Sequence, residues 1–412
     1  MKRTVLIAVA CVATLAVVGA IAIVQSRNKG RAELDAALQT ARSAGLPTGG
    51  AEFRRSLATP QGKNAFEVIQ EFKRISEARQ EAGRPRPLTT NPDLLGRPKN
   101  LQEFGDYLAV FDEAASCDEY VPMREWEQGL MVFFEDFAEL KYVARLAIAR
   151  ARASIAKGDI GAALEDASKV AKIAAFVRSE RHEIAVLVAE ALDVMVATLL
   201  LEATTAFKSE AQWQQAQAVF DGLSPSVQVR DRMSGDMAMF LDTLRFMFKG
   251  DRIAQEFLSA VRSDAGVSTA KRVSDATART ILAEATTVWT EFFRDASDDP
   301  MEFATSDAAY DKIYTKLAEW TLVHGLPVEM AKVMETLSIS SRFELLYESS
   351  LRAQMRRLAF GLARSRKFPE NGGEVEGTFG FAYTFRRTAN GFSLECARPG
   401  RTPMVVYCPK KP

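Results

Sequence analysis

The sequence predicts a mainly α-helical protein with an N-terminal transmembrane helix, a helical-hairpin or bundle body and a small C-terminal antiparallel β-meander. Three observations carry this. Residues 4–24 are an uncharged apolar run. From residue 28 to about 368, apolar side chains recur at steps of three and four, and beyond residue 369 the period drops to two. The 412 residues, 47% of them hydrophobic, can bury a sizeable core in one large or two moderate domains.

These shifts divide the chain into five segments: 1–27 as membrane anchor or signal segment, 28–82 as juxtamembrane helices, 83–100 as a Pro-rich linker, 101–368 as helical body and 369–412 as meander tail. Lys2 and Arg3 precede the apolar run. Its 21 residues, at about 1.5 Å each, match a bilayer core of about 30 Å. The run exceeds the roughly 7–15 residues of a signal-peptide core, so a retained single-pass anchor is expected. The alternative is secretion after cleavage at Ala22, where Ala20-Ile21-Ala22 supplies small residues. Lys2 and Arg3 stand against Arg27, Lys29 and Arg31 across the membrane, a weak bias. The expected address is the inner membrane, with the body on the extracytoplasmic side.

Residues 28–44 continue as helix, with Leu34, Ala37, Leu38 and Ala41 on one stripe, until Gly45-Leu46-Pro47. A second helix is expected at about 63–82, where Phe66, Ile69, Phe72 and Ile75 recur. The linker 83–100 carries four prolines. Residues 131–156 and the run after Lys157-Gly158-Asp159 read as two amphipathic helices of one antiparallel hairpin, tetratricopeptide-like but without a downstream 34-residue repeat. Further helices are expected at about 183–207, 210–222, 228–262, 270–295, 308–321, 327–338 and 343–367, with a break at 297–300. In the tail, Phe379, Phe381, Tyr383 and Phe385 alternate as a half-buried strand. A two-residue turn at Asn390-Gly391 would pair Phe385 with Cys396 and put Phe392, Leu394 and Cys396 on the same face.

Charge excludes one class of partner. Lys plus Arg and Asp plus Glu both number 53, so no global field favours a polyanion and no nucleic-acid binding is expected. The two histidines, His182 and His324, leave few routes to imidazole catalysis or zinc ligation. His182-Glu183 begins like a zincin helix, but Val186 occupies the place of the second histidine, so His182 is expected as an exposed helix-end residue. Glu135, Asp136 and Glu139 share a helix face and are expected in solvent, because the Glu-x-x-His partners of a di-iron bundle are missing. Neither a G-x-S-x-G elbow nor a phosphate-binding P-loop occurs. No catalytic, cofactor-binding or metal-ligating residue is assigned, and no enzyme activity is expected.

Two stretches could serve binding. Residues 351–368 carry Arg352, Arg356, Arg357, Arg364, Arg366 and Lys367 beside a stripe of Leu351, Met355, Leu358, Ala359 and Leu362. Such a helix can lie on an anionic membrane or pack its stripe on a core, and the globular surroundings favour packing. Met233, Met237, Met239, Phe240, Phe246, Met247 and Phe248 could form an adaptable apolar surface, but plain core is the simpler expectation.

Cys11 lies in the apolar run, Cys117 is expected as a buried thiol, and Cys396 and Cys408 stand twelve residues apart. Turns at Asn390-Gly391 and Pro399-Gly400 would set Cys396 opposite Pro403 and Cys408 on the other face. A one-residue slip would align their faces but leave them about four residues apart. That is about 13 Å, too far for a disulfide. Unbridged thiols are expected.

Ala44-Gly45-Leu46-Pro47-Thr48, Gly62-Lys63-Asn64-Ala65, Trp126-Glu127-Gln128-Gly129, the Gly158-Asp159 hairpin and the Arg-rich helix ending Lys367-Phe368-Pro369 occur in that order. In these motifs the chain resembles uncharacterised single-pass or exported helical proteins of planctomycete-type bacteria. The resemblance implies an envelope location and a helical body, and brings no catalytic residue. The tails of those proteins often end in an acidic Asp-Gly run, whereas this one ends Cys408-Pro409-Lys410-Lys411-Pro412. The expected role is interaction or scaffolding at the membrane through residues 4–24, with a protein partner. The alternatives are an exported binding protein for a peptide or apolar ligand and an enzyme without a recognised motif.

Overall fold

Three consecutive antiparallel helices form the centre of the molecule, and the remaining helices and one sheet pack around them. The computed structural model describes residues 28–87, 98–132, 134–223, 229–249, 274–296, 340–376, 382–397 and 402–409, with a few positions between 311 and 323. The apolar segment 4–24, Cys11, His324, the helix expected at 327–338, the break at 297–300 and the strand positions Phe379 and Phe381 lie outside the described residues.

Helix α1 covers residues 28–43, α2 Gly50–Ser56, α3 Ala65–Glu81, α4 Pro98–Glu103 and α5 Gly105–Ser116. Asn64 starts α3. Its Oδ1 accepts from the amides of Phe66 (3.1 Å) and Val121 (2.9 Å), while Nδ2 donates to the Val121 carbonyl (2.9 Å). One capping residue thereby fastens a distant loop to the helix start. Phe66, Ile69 and Phe72 are buried as their spacing predicts.

A 3-10 segment, Trp126–Met131, leads into α6 (Glu135–Ala156), α7 (Ile160–Arg178) and α8 (Glu183–Ala203). The expected hairpin turn is present. Gly158 takes φ +81°, and Asp159 caps α7 by accepting from the Ala162 amide at 3.0 Å. Arg150 on α6 forks onto Asp112 of α5 (2.7 and 2.9 Å) and Asp166 of α7 (2.6 and 3.0 Å), binding three helices through one guanidinium. Among the described residues α8 is long and apolar enough to cross a membrane, yet it packs against α6 and α7 with most of its surface buried. It is the central core helix.

Helices α9 (Glu210–Gly222), α10 (Val229–Lys249), α11 (Asp275–Asp295) and α12 (Ser340–Ser365) complete the described helical body. The main apolar core joins α3, α5, α6, α7, α8, α9, α12 and the sheet, and a second joins α1, α10 and α11 with Ile313 and Trp320. Helices on both sides of residues 83–100 share the main core, so that segment divides the sequence but not the packing.

The C-terminal sheet has the order β1 (Glu374–Glu376), β2 (Ala382–Thr388), β3 (Gly391–Cys396), β4 (Met404–Pro409), all antiparallel. The strand β1 was not anticipated. The expected sidedness holds for Tyr383, Phe385, Phe392, Leu394 and Cys396, which face the core; Met404, Val406 and Cys408 share that face, which corrects the expectation that Cys408 points to the other side. The register differs from expectation in two places. Thr388 pairs with Gly391, so Ala389-Asn390 is the turn and Phe385 stands opposite Leu394 rather than Cys396. Gly391 spends its φ of 147°, open to glycine, on entering β3 instead of turning the chain. Farther on, Cys396 pairs with Met404 and Phe392 with Cys408, a register that a two-residue turn at Pro399-Gly400 cannot produce. Both thiols therefore share the buried face four residues apart, and Cys117, Cys396 and Cys408 are all unbridged and buried.

Candidate functional site

Four residues turn the chain from α7 into α8, and they gather charged groups where water cannot reach. Arg181 takes φ +59°, and its carbonyl accepts from the Gly235 amide at 2.9 Å, an approach that a β-carbon on residue 235 would obstruct. His182 caps α8: its Nδ1 accepts from the Ala185 amide at 3.3 Å, so its Nε2 is left to donate to Glu180 Oε2 at 3.1 Å. The expectation of an exposed histidine is corrected, because His182 is 0% exposed. Its ring lies 4.3 Å from Phe134 and 5.5 Å from Trp126 between centroids. The helix-end position was read rightly, but the aromatic residues before α6 fold over it.

Glu180, also fully buried, fills its four acceptor positions. It takes Arg124 Nε at 2.7 Å and Nη2 at 2.9 Å, His182 Nε2, and the Tyr120 hydroxyl. Arg124 binds Asp136 with its Nη1 (3.0 Å) and Nη2 (2.8 Å), and lies over the rings of Phe66, Phe134 and Phe137 at 4.8–5.1 Å. The solvated-face expectation fails for Asp136 and Glu139, while the Glu135 side chain lies outside the described residues. Asp136 is 4% exposed, and Glu139 is 7% exposed and accepts from Ser76 Oγ at 2.6 Å. These carboxylates face inward because Arg124 and Ser76 are present to meet them. The charges of Arg124, Glu180 and Asp136 are directed at one another, which makes this network a structural keystone.

Its pH dependence has a definite sign. Burial pushes the Glu180 carboxyl up, but the charge of Arg124 and the hydrogen bonds from His182 and Arg124 prevail and hold it at about 2. Burial pushes the His182 imidazole down, against the pull of Glu180 and Asp136. Below an ordinary pKa of 6.5 the unfolded chain protonates His182 while the folded chain resists, and below 4.5 the same holds for Glu180. Both contributions are complete above those values and fade as pH falls. The urea midpoint should therefore decline from about pH 6.5 downward and more steeply between 4.5 and 2. His182→Asn, which keeps a cap, should flatten the first decline; an unchanged profile would contradict the assignment.

The two stretches considered for binding are largely core. Met233, Met237, Met239, Phe240, Met247 and Phe248 are buried. On α12, Leu351, Met355 and Ala359 are buried, Arg357 donates to the carbonyls of Phe220 (2.8 Å) and Leu223 (3.2 Å), and Arg364 pairs with Glu210 at 2.6 Å.

The end of that helix does form a site. Arg366, the residue after α12, takes φ +55°, and its amide donates to the Leu362 carbonyl at 3.0 Å. This is a helix-ending position usually held by glycine, and an arginine there costs about 1 kcal/mol. The turn releases Phe368 onto the sheet, where its ring meets Phe385 at 5.9 Å and Phe392 at 5.3 Å and remains 40% exposed. Opposite stand Thr204 and Phe207 beyond α8, and Trp213 of α9, whose ring meets Phe207 edge-on at 4.8 Å. Between these walls runs an open groove of about 500 Å³, which Arg387, Thr388 and Pro409 of the sheet complete. The alternating aromatics of β2 and the basic end of α12 are legible in the sequence, but Phe207 and Trp213 carry no local sign of joining them.

No family model matches the chain, and neither the curated proteins nor the solved structures include a significant match.

Proposed function

We propose that this protein is an envelope-anchored binding protein that receives an apolar small molecule in the groove between α9, the end of α12 and the sheet. The observation that carries this is the groove itself. It is of ligand size, walled by Phe207, Trp213, Phe368, Phe385 and Phe392, and open at the surface. The buried ions at the α7–α8 corner are occupied with one another, whereas Trp213 and Phe368 stay partly exposed along the groove. In this reading residues 4–24 hold the chain in the inner membrane with the body outside the cytoplasm, an address that the planctomycete-type resemblance also suggests. The α6–α7 hairpin acts as a rigid, tetratricopeptide-like spine.

The test is titration of the full chain, held in phosphatidylcholine nanodiscs, with the neutral fluorophore N-phenyl-1-naphthylamine, empty discs being subtracted. Saturable one-to-one binding is expected. Ala363→Trp, which fills the groove from α12, should weaken it about tenfold or more without changing helix content. Equal binding by both proteins would sink the proposal. The anchor has its own test. The protein should stay with membranes through alkaline carbonate washing, and a soluble body starting at Ile23 would show cleavage at Ala22 instead.

A further inference from the structure

We infer that the groove's ligand is a single-chain amphiphile with a carboxylate head, of the fatty-acid class, its chain on the aromatic walls and its head between Arg366 and Arg387. This rests on the groove reading above and adds the charge of the ligand.

The lining contains two guanidinium groups and no carboxylate or imidazole. Among the described residues neither Arg366 nor Arg387 has an ion-pair partner, although adjacent arginines do: Arg364 pairs with Glu210 at 2.6 Å and Arg386 with Glu395 at 2.7 Å. The alternation of β2 explains the contrast. Arg386 points to the solvent face, where β3 supplies an acid, while Arg387 continues the face of Tyr383 and Phe385 and emerges at the groove. Arg366 adds a second, independent sign. It occupies a left-handed position that glycine would fill with less strain, so a cation stands at the groove mouth at a cost to the fold. Two planar forks beside an apolar trough match a planar carboxylate on an apolar chain, through charge-assisted hydrogen bonds.

The probe is 11-(dansylamino)undecanoic acid, compared with its methyl ester, on the full chain in phosphatidylcholine nanodiscs. The acid should bind at least tenfold more tightly than the ester. The double variant Arg366→Gly with Arg387→Gln should bind both equally, at the wild-type ester affinity. Arg366→Gly alone should keep or raise the unfolding midpoint yet lower acid affinity several-fold, a separation that a merely structural arginine would not give. Equal affinity of the wild type for acid and ester, or a preference for a dodecylammonium competitor, would overturn the inference while leaving the groove in place. Tighter competition by dodecyl phosphate than by dodecanoate would overturn the carboxylate assignment. Failure of the neutral probe to bind would remove the groove reading first.

Discussion

Arg124→Met should destabilise the protein by about 3–5 kcal/mol, the largest loss expected from removing a single side-chain charge. The substitution leaves the apolar stem in place but strips Glu180 and Asp136, which are 0% and 4% exposed, of their shared counter-charge. It also removes the cation from above the rings of Phe66, Phe134 and Phe137. Two-state urea unfolding should show the loss as a lower midpoint at an unchanged slope. Adding Glu180→Gln and Asp136→Asn should recover part of it, because the cost lies in unpaired buried charge rather than in lost attraction. A loss below about 1 kcal/mol for the single variant would mean that water reaches the α7–α8 corner and that the network is not sealed.

Gly50→Ala should cost about 3 kcal/mol or more, although it adds one methyl group. A β-carbon at residue 50 would lie 2.3 Å from the carbonyl carbon and oxygen of Trp126. The backbone there cannot retreat easily. Gly129, three residues on, is at φ +60°, and a β-carbon on it would come within 2.4 Å of Thr243 Oγ1 on α10. The Gly50 amide is in turn held by Asp242 of α10 at 2.6 Å. Gly158→Ala is the comparison. At φ +81° with open space around it, it should lose only the roughly 1 kcal/mol of a strained turn. If both variants unfold at the same urea concentration, the tight seam between α2, the 3-10 segment and α10 is not as described.

That seam shows what could be read in advance and what could not. Helix positions were legible because each apolar stripe is a local pattern. Phe66, Ile69 and Phe72 announce α3, and Gly158-Asp159 announces the hairpin. The sidedness of β2 and β3 was legible for the same reason, since their register error is two residues and keeps the face, whereas the one-residue error between β3 and β4 put Cys408 on the wrong side. The pairings were not. Which residue forms a turn depended on where Gly391 would use its freedom, and Phe385 facing Leu394 satisfies the alternation as well as Phe385 facing Cys396. Arg124 meets Glu180 across 56 positions, and nothing near either residue marks it as buried. Asp136 and Glu139 were read as solvated because unpaired carboxylates belong in water, and their partners sit on other elements. The groove was half visible: the β2 aromatics and the basic end of α12 stand in the sequence, while Phe207 arrives from the α8–α9 connection and Trp213 from the first turn of α9.

The claim on which the functional account stands is that apolar ligands enter between α9, the end of α12 and the sheet, and photolabelling tests it most directly. The full chain in phosphatidylcholine nanodiscs would be equilibrated with a long-chain carboxylic acid bearing a terminal diazirine, irradiated and mapped by peptide mass spectrometry. The account predicts adducts concentrated on residues 204–213, 363–368 and 385–392, suppressed by excess dodecanoate and by Ala363→Trp. Labelling confined to the membrane segment 4–24, or spread over exposed apolar residues such as Met123 and Tyr407 and insensitive to both treatments, would contradict it.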